Sequence, residues 1–225
     1  PMGAAQAGVT IYGKIHASID YISPDSYRVT PDVCAVPYSD GVCPSVKISP
    51  DDVWNVESRA SRIGFKGSED LGNGLKLIWK VESQVDVAGS GAWVGDKTNY
   101  WKARNAYIGL AGGWGTFLYG RHDTPLKMST GKLDLFSDEL ADYNATAGFV
   151  DRRVDDAIAY ISPSWGGLTL AGAVIPGGDY PDGKGDFADG YSVAAMWTLN
   201  SIYLAAAYED VTDLRDSSDL DNEIW

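Results

Sequence analysis

The sequence predicts an all-β chain whose antiparallel strands run up and down. Three observations lead there: apolar and polar residues alternate with period two, turn signals recur between the alternating stretches, and the composition is rich in Gly, Trp and Tyr. The chain has 225 residues, with 26 Gly, 8 Trp and 13 Tyr but only 2 His. Aromatic residues suit a pleated surface, and Gly suits the turns. The formal net charge is -13, from 31 acids against 18 bases. That is the wrong sign for wrapping a phosphate backbone, so no nucleic-acid partner is expected.

Pro1 to Ala7 closes on Ala5-Gln6-Ala7, the small-x-small pattern that precedes signal-peptidase cleavage. Residues 1–7 are therefore expected to be a signal-peptide remnant, with the mature protein starting at Gly8. From Gly8 to Ile22, Val9, Ile11, Gly13, Ile15, Ala17, Ile19 and Tyr21 alternate with Thr10, Tyr12, Lys14, His16, Ser18 and Asp20. A long connection, Ser23 to Val56, follows. It holds Cys34 and Cys43 close together, a natural local disulfide in an oxidising compartment, whose closure would contribute about 2 to 3 kcal/mol. Arg62, Gly64 and Lys66 then alternate with Ile63 and Phe65. After a turn at Gly72-Asn73-Gly74, Leu75, Leu77, Trp79 and Val81 alternate with Lys76, Lys80, Glu82 and Gln84, with Ile78 out of pattern. Further strands are expected near Trp101–Leu110, Gly115–Arg121, Val154–Ser162, Leu168–Ile175, Tyr191–Leu199 and Ile202–Asp210.

The connections carry the next step. Short turns near 69–74, 111–114, 164–167 and 200–201 alternate with long loops near 23–56, 87–100, 122–153, 176–190 and 211–222. In an up-and-down meander this puts every tight turn at one end and every long loop at the other. Transmembrane barrels of the outer membrane have that polarity. No apolar run reaches the roughly 18 residues of a membrane helix, whereas strands of about ten tilted residues match a bilayer core. Tyr21, Trp54, Tyr100, Trp101, Trp114, Trp165, Tyr191 and Tyr208, near strand ends, suit interfacial girdles.

Four stretches now resemble a known family. They are Val9-Thr10-Ile11-Tyr12-Gly13; Ser61 to Leu75, SRIGFKGSEDLGNGL; Ala106-Tyr107-Ile108-Gly109-Leu110 leading into Trp114 to Arg121, WGTFLYGR; and Ala159-Tyr160-Ile161-Ser162-Pro163. Together they resemble the general diffusion porins of proteobacterial outer membranes, in the family's order. The resemblance implies a homotrimer of up-and-down antiparallel transmembrane barrels, each with the third long loop, about 122–153, folded inward to narrow the pore. It also implies a Gram-negative outer-membrane location, with lipid, lipopolysaccharide, small hydrophilic solutes and ions as partners, and no cofactor or metal. By the same resemblance Arg62, Lys102, Arg104 and Arg153 correspond to the basic wall of the constriction. The third loop offers Asp134, Asp138, Glu139 and Asp142 as the facing acids.

On that reading Arg62, Gly64 and Lys66 face water, and Ile63 and Phe65 face lipid or a neighbouring subunit. A mild cation preference is expected from the net charge and from Asp179, Asp182, Asp186, Asp189, Asp213, Asp216 and Asp219 in the outer loops. The function expected is passive diffusion of small hydrophilic solutes and ions. The alternative is a substrate-specific channel or an adhesin-like barrel acting through its loops. Catalysis is not expected, because His122 and Asp123, adjacent on an extended segment, point apart and no nucleophile motif accompanies them. Porin barrels close with roughly 16 to 18 strands. Residues 8–225 supply nine strands and the start of a tenth at Glu223-Ile224-Trp225, so a chain truncated at its C-terminal end is expected.

Overall fold

The computed structural model describes residues 8–23, 27–29, 46–48, 51–89, 101–139, 141–147, 152–177 and 187–211. Residues 1–7, Cys34, Cys43 and the start of a tenth strand lie outside the described residues. The strands are β1 (Gly8–Lys14), β2 (Ala17–Ile22), β3 (Tyr27–Val29), β4 (Val46–Ile48), β5 (Val53–Ser58), β6 (Arg62–Gly72), β7 (Leu75–Val85), β8 (Trp101–Gly112), β9 (Gly115–Asp123), β10 (Arg153–Ile161), β11 (Leu168–Ile175), β12 (Gly190–Leu199) and β13 (Ile202–Asp210). Two short helices, α1 (Pro125–Thr130) and α2 (Tyr143–Ala147), lie between β9 and β10. β1 and β6 to β13 form one nine-stranded sheet in the order β1-β6-β7-β8-β9-β10-β11-β12-β13, and every pair in it is antiparallel. β2 pairs with β5, and β3 with β4.

Two boundaries differ from the sequence expectation. The expected strand Gly8–Ile22 is divided at Ile15-His16, and the long connection after it is built partly of β3, β4 and β5. The cause is a bulge: Lys14 pairs with Arg62 but Ala17 pairs with Ser58, so the partner strand carries one extra residue. Ala60 takes it up at φ 47, and the Ser61 hydroxyl satisfies both the amide and the carbonyl of His16, at 2.9 and 2.8 Å. The turn after β6 is also tighter than expected. It is the two residues Asn73-Gly74, with φ of 52 and 77, as the twist of a two-residue hairpin demands.

Register explains the alternation. One row of cross-strand partners runs through all nine strands as Val9, Gly67, Trp79, Ile108, Tyr119, Ile158, Val174, Tyr191 and Asp210. The next runs Gly8, Ser68, Ile78, Gly109, Leu118, Ala159, Ala173, Ser192 and Glu209 on the opposite face. Thus the first face is apolar except at Asp210, and the second is polar or small except at Ile78 and Leu118. Many large apolar side chains are exposed, Ile11 at 68% and Phe65 at 40%, while among the described residues the buried cluster is Leu118, Ala159 and Ala173. A water-soluble fold would invert that arrangement.

The sheet is curved. Seven neighbour steps separate β6 from β13, about 34 Å along a flat sheet. Yet Ser129 bonds Tyr203 on β13 while Asp138 bonds Arg62 on β6. Nine residue steps span at most about 32 Å fully extended, and this stretch is coiled into turns. Only a sheet bent around the segment lets it touch both strands.

Candidate functional site

On the polar face, three rows stack along β1, β6, β7 and β8. They read Lys14, Arg62, Gln84 and Lys102; then Tyr12, Gly64 and Glu82; then Thr10, Lys66, Lys80 and Tyr107. A register shift between Val81 and Ser83 brings Arg104 alongside Glu82. Arg104 donates from Nε to Glu82 at 2.8 Å and from Nη1 to Gln84 at 3.3 Å. Lys80 lies 3.1 Å from the same carboxylate, and the Tyr12 hydroxyl donates to it at 2.6 Å. Arg62, Lys102 and Arg104 therefore lie on one face of the sheet.

Across the sheet the same face is nearly featureless. Ala111, Thr116, Ile161, Ala171, Ala194 and Ala207 form one row beside the row of Leu118, Ala159, Ala173 and Ser192. Helix α1 packs on this half. Thr124 caps it by accepting from the Lys127 amide at 3.3 Å, with Pro125 at the first helical position. The Leu126 amide, otherwise without a partner in the first turn, donates to Ser192 on β12 at 3.1 Å. At the other end Tyr203 on β13 donates to the Ser129 carbonyl at 2.7 Å.

Beyond α1 the chain crosses to the basic wall. Asp138 meets Arg62 at 3.2 Å, and Glu139 meets His16 at 2.6 Å and Arg59 at 4.0 Å. Arg59 is in turn paired with Asp20. The other two loop carboxylates turn inward on the loop. Asp142 accepts from the amides of Asp138 and Asn144, both at 2.9 Å. It thereby holds Asp138 in its φ 67 backbone, a conformation aspartate tolerates better than most residues. Asp134 accepts from the Phe136 amide at 3.0 Å. So Asp138 and Glu139 reach the wall, while Asp142 shapes the loop that presents them.

Arg153, expected on the basic wall, makes its direct contacts at the base of the loop. It lies 2.7 Å from Asp123 and donates to Asn105 at 2.5 Å, and Asn105 also donates to Asp123 at 2.9 Å. This triangle closes the base of the loop, where the Thr124 amide bonds the Arg152 carbonyl at 3.2 Å. His122 packs edge-on against Tyr107 and bonds the Asp123 carbonyl oxygen, so its ring has no hydrogen bond to the Asp123 carboxylate.

The sequence that builds this sheet matches a known family. The sequence pattern of the Gram-negative porins matches residues 2–223. The chain belongs to the Gram-negative porins. The major outer membrane protein P.IB of Neisseria gonorrhoeae is 30% identical over 205 residues, covering 89% of this chain and 51% of its own length. Its counterpart in Neisseria meningitidis serogroup B is 34% identical over 169 residues, 74% of this chain and 43% of its own. The anion-selective porin from Comamonas acidovorans superposes with a TM-score of 0.63 over 91% of this chain and 57% of its own, at 19% identity. A mutant Rh. blastica porin superposes at 0.53 over 93% and 66%, at 17% identity. The porin chain spans about half the length of the curated relatives it matches.

The porin is an outer-membrane protein of β-barrel type, and the described strands are an incomplete barrel. Sequence reasoning missed Glu82, Tyr12, Lys80 and Arg59 as members of the site. Parity alone placed Glu82, Tyr12 and Lys80 on the polar face. What parity lacks is the register between strands, which brings Tyr12 and Arg104 to one carboxylate.

Proposed function

We propose that the whole protein forms a water-filled channel for passive diffusion of small hydrophilic solutes and ions across the outer membrane, assembled as a homotrimer in lipid and lipopolysaccharide. The supporting observation is the two-faced curved sheet, with the third loop laid across its polar face from β13 to Arg62. In this reading Arg62, Lys102 and Arg104 with Asp138 and Glu139 form the constriction, and Arg153 anchors the loop base. The field between wall and loop orders water, which polar solutes can replace and apolar ones cannot.

The reading differs from the sequence expectation in sign of selectivity. Of the acids behind the expected cation preference only Asp189 is among the described residues. At the level of the loop contact the polar rows hold Lys14, Arg62, Lys66, Lys80 and Lys102, with Arg104 beside them, against Glu82, and the loop adds only Asp138 and Glu139. The channel accordingly prefers anions. Reconstituting the full-length protein in planar bilayers and in liposomes tests both claims. Conductance proportional to salt, a smooth fall in swelling rate with sugar size and a zero-current potential of anionic sign are expected. Saturation by one sugar would favour a substrate-specific channel, and a cationic sign would overturn the selectivity.

A further inference from the structure

Glu82 is a carboxylate set among cations, and its surroundings are built for it. Its side chain is 4% exposed. Arg104 at 2.8 Å, Lys80 at 3.1 Å, the Tyr12 hydroxyl at 2.6 Å and Arg62 at 4.0 Å converge on it from β8, β7, β1 and β6. Tyr12 reaches it only because the intervening strand carries Gly64. A Cβ there would stand 2.4 Å from the Tyr12 ring tip and hydroxyl.

Two consequences follow for ions near this wall. The carboxylate subtracts one charge from the cluster formed by Arg62, Lys80 and Arg104, at close range and with little water between. It also fixes where the cations sit, because like charges on neighbouring strands repel when nothing lies between them. Arg62, which Glu82 attracts from one side, is the residue that Asp138 of the loop reaches from the other.

We infer that Glu82 is a specificity-determining residue of the channel: it limits the anion preference of the basic wall by neutralising and positioning Arg104, Lys80 and Arg62. The inference rests on the channel reading above.

The test uses the full-length protein in planar bilayers under a KCl gradient. Glu82→Gln keeps the shape and a hydrogen-bond acceptor while removing the charge. Its zero-current potential is expected to move further toward anions, by roughly twofold or more in permeability ratio. The shift should shrink in molar salt, where screening shortens from about 10 Å to about 3 Å; a purely structural role would not produce that dependence. Because Glu82→Gln leaves cations unpaired and can fail to assemble, the pair Lys80→Gln and Lys80→Gln/Glu82→Gln is measured beside it. The double variant is expected to be more anion-preferring than the single. Equal potentials for parent and Glu82→Gln, or for the single and double variants, overturn the inference while the channel reading stands. A parent that conducts no ions overturns both.

Discussion

The two halves of the polar face use the same strand geometry for opposite ends. Along β1, β6, β7 and β8 the polar face carries Tyr12, Lys14, Arg62, Lys66, Lys80, Glu82, Lys102 and Arg104, several of them joined by ion pairs and hydrogen bonds across strands. Along β10 to β13 the central positions of that face are small, Ala157, Ala159, Ala171, Ala173, Ser192, Ala194, Ala205 and Ala207, and α1 packs against β11, β12 and β13. Small residues let the backbone of the loop approach and exchange hydrogen bonds with Ser192 and Tyr203. Long charged ones stand off and meet only the loop's carboxylates. One end of the loop is therefore fastened by close packing, which salt hardly touches, and the other by charge, which salt screens.

Substitutions at two glycines should separate the surroundings of Leu118 from the basic wall most clearly. At Gly109, beside Leu118, an added Cβ would stand 2.4 Å from the Phe117 carbonyl oxygen, backbone that cannot yield, so Gly109→Ala should lower stability by about 3 kcal/mol. At Gly64 the obstacle is the tip of Tyr12, which can rotate, so Gly64→Ala should cost only about 1 kcal/mol. Denaturant unfolding in micelles compares them, and equal losses would mean that the basic wall is as tightly packed as the sheet around Leu118. Next in size, Ser192→Leu removes the acceptor of the Leu126 amide and crowds α1. We expect a loss of about 2 kcal/mol together with a higher single-channel conductance as the loop leaves its seat.

The ionic end should respond more weakly and with a different signature. A double-mutant cycle on Arg62→Ala and Asp138→Ala should give a coupling of about 1 kcal/mol or less that fades as salt is raised, because both side chains are partly exposed. A coupling independent of salt would place this contact with the packed half. The smallest effect is expected outside the large sheet. There Asp52 accepts from Ser23 at 2.5 Å and Tyr21 at 2.7 Å, and these hydrogen bonds, Ser23 first, hold its carboxyl below the usual value. A lowered folded-state value stabilises the link above the ordinary carboxylate pKa of about 3.9 and loses it as pH falls through the folded value. The protection factor of the Val53 amide, its exchange rate corrected for the intrinsic pH dependence, should fall only in that acid range, and a fall near neutral pH would contradict it.

Much of this was legible in the residues. Alternation across Arg62 to Lys66 and Leu75 to Gln84 separated the two faces correctly, and Ile78 broke the pattern because it sits on the polar face between Ser68 and Gly109. The Ala60 bulge was not legible, since a one-residue surplus becomes visible only when both partners are aligned. Nor was the fate of the loop acids. Asp134, Asp138, Glu139 and Asp142 look equivalent in a string, yet Asp142 is bound to its own loop's amides while Asp138 crosses to Arg62.

By itself the sequence determined which residues within one strand share a face, because side-chain direction in a strand has period two and needs no partner to be read. Only the tertiary structure decided which charge meets which, and where the loop rests. Those outcomes depend on the register between strands and on the curvature of the sheet, which join residues as distant in sequence as Tyr12 and Glu82 or Ser129 and Tyr203.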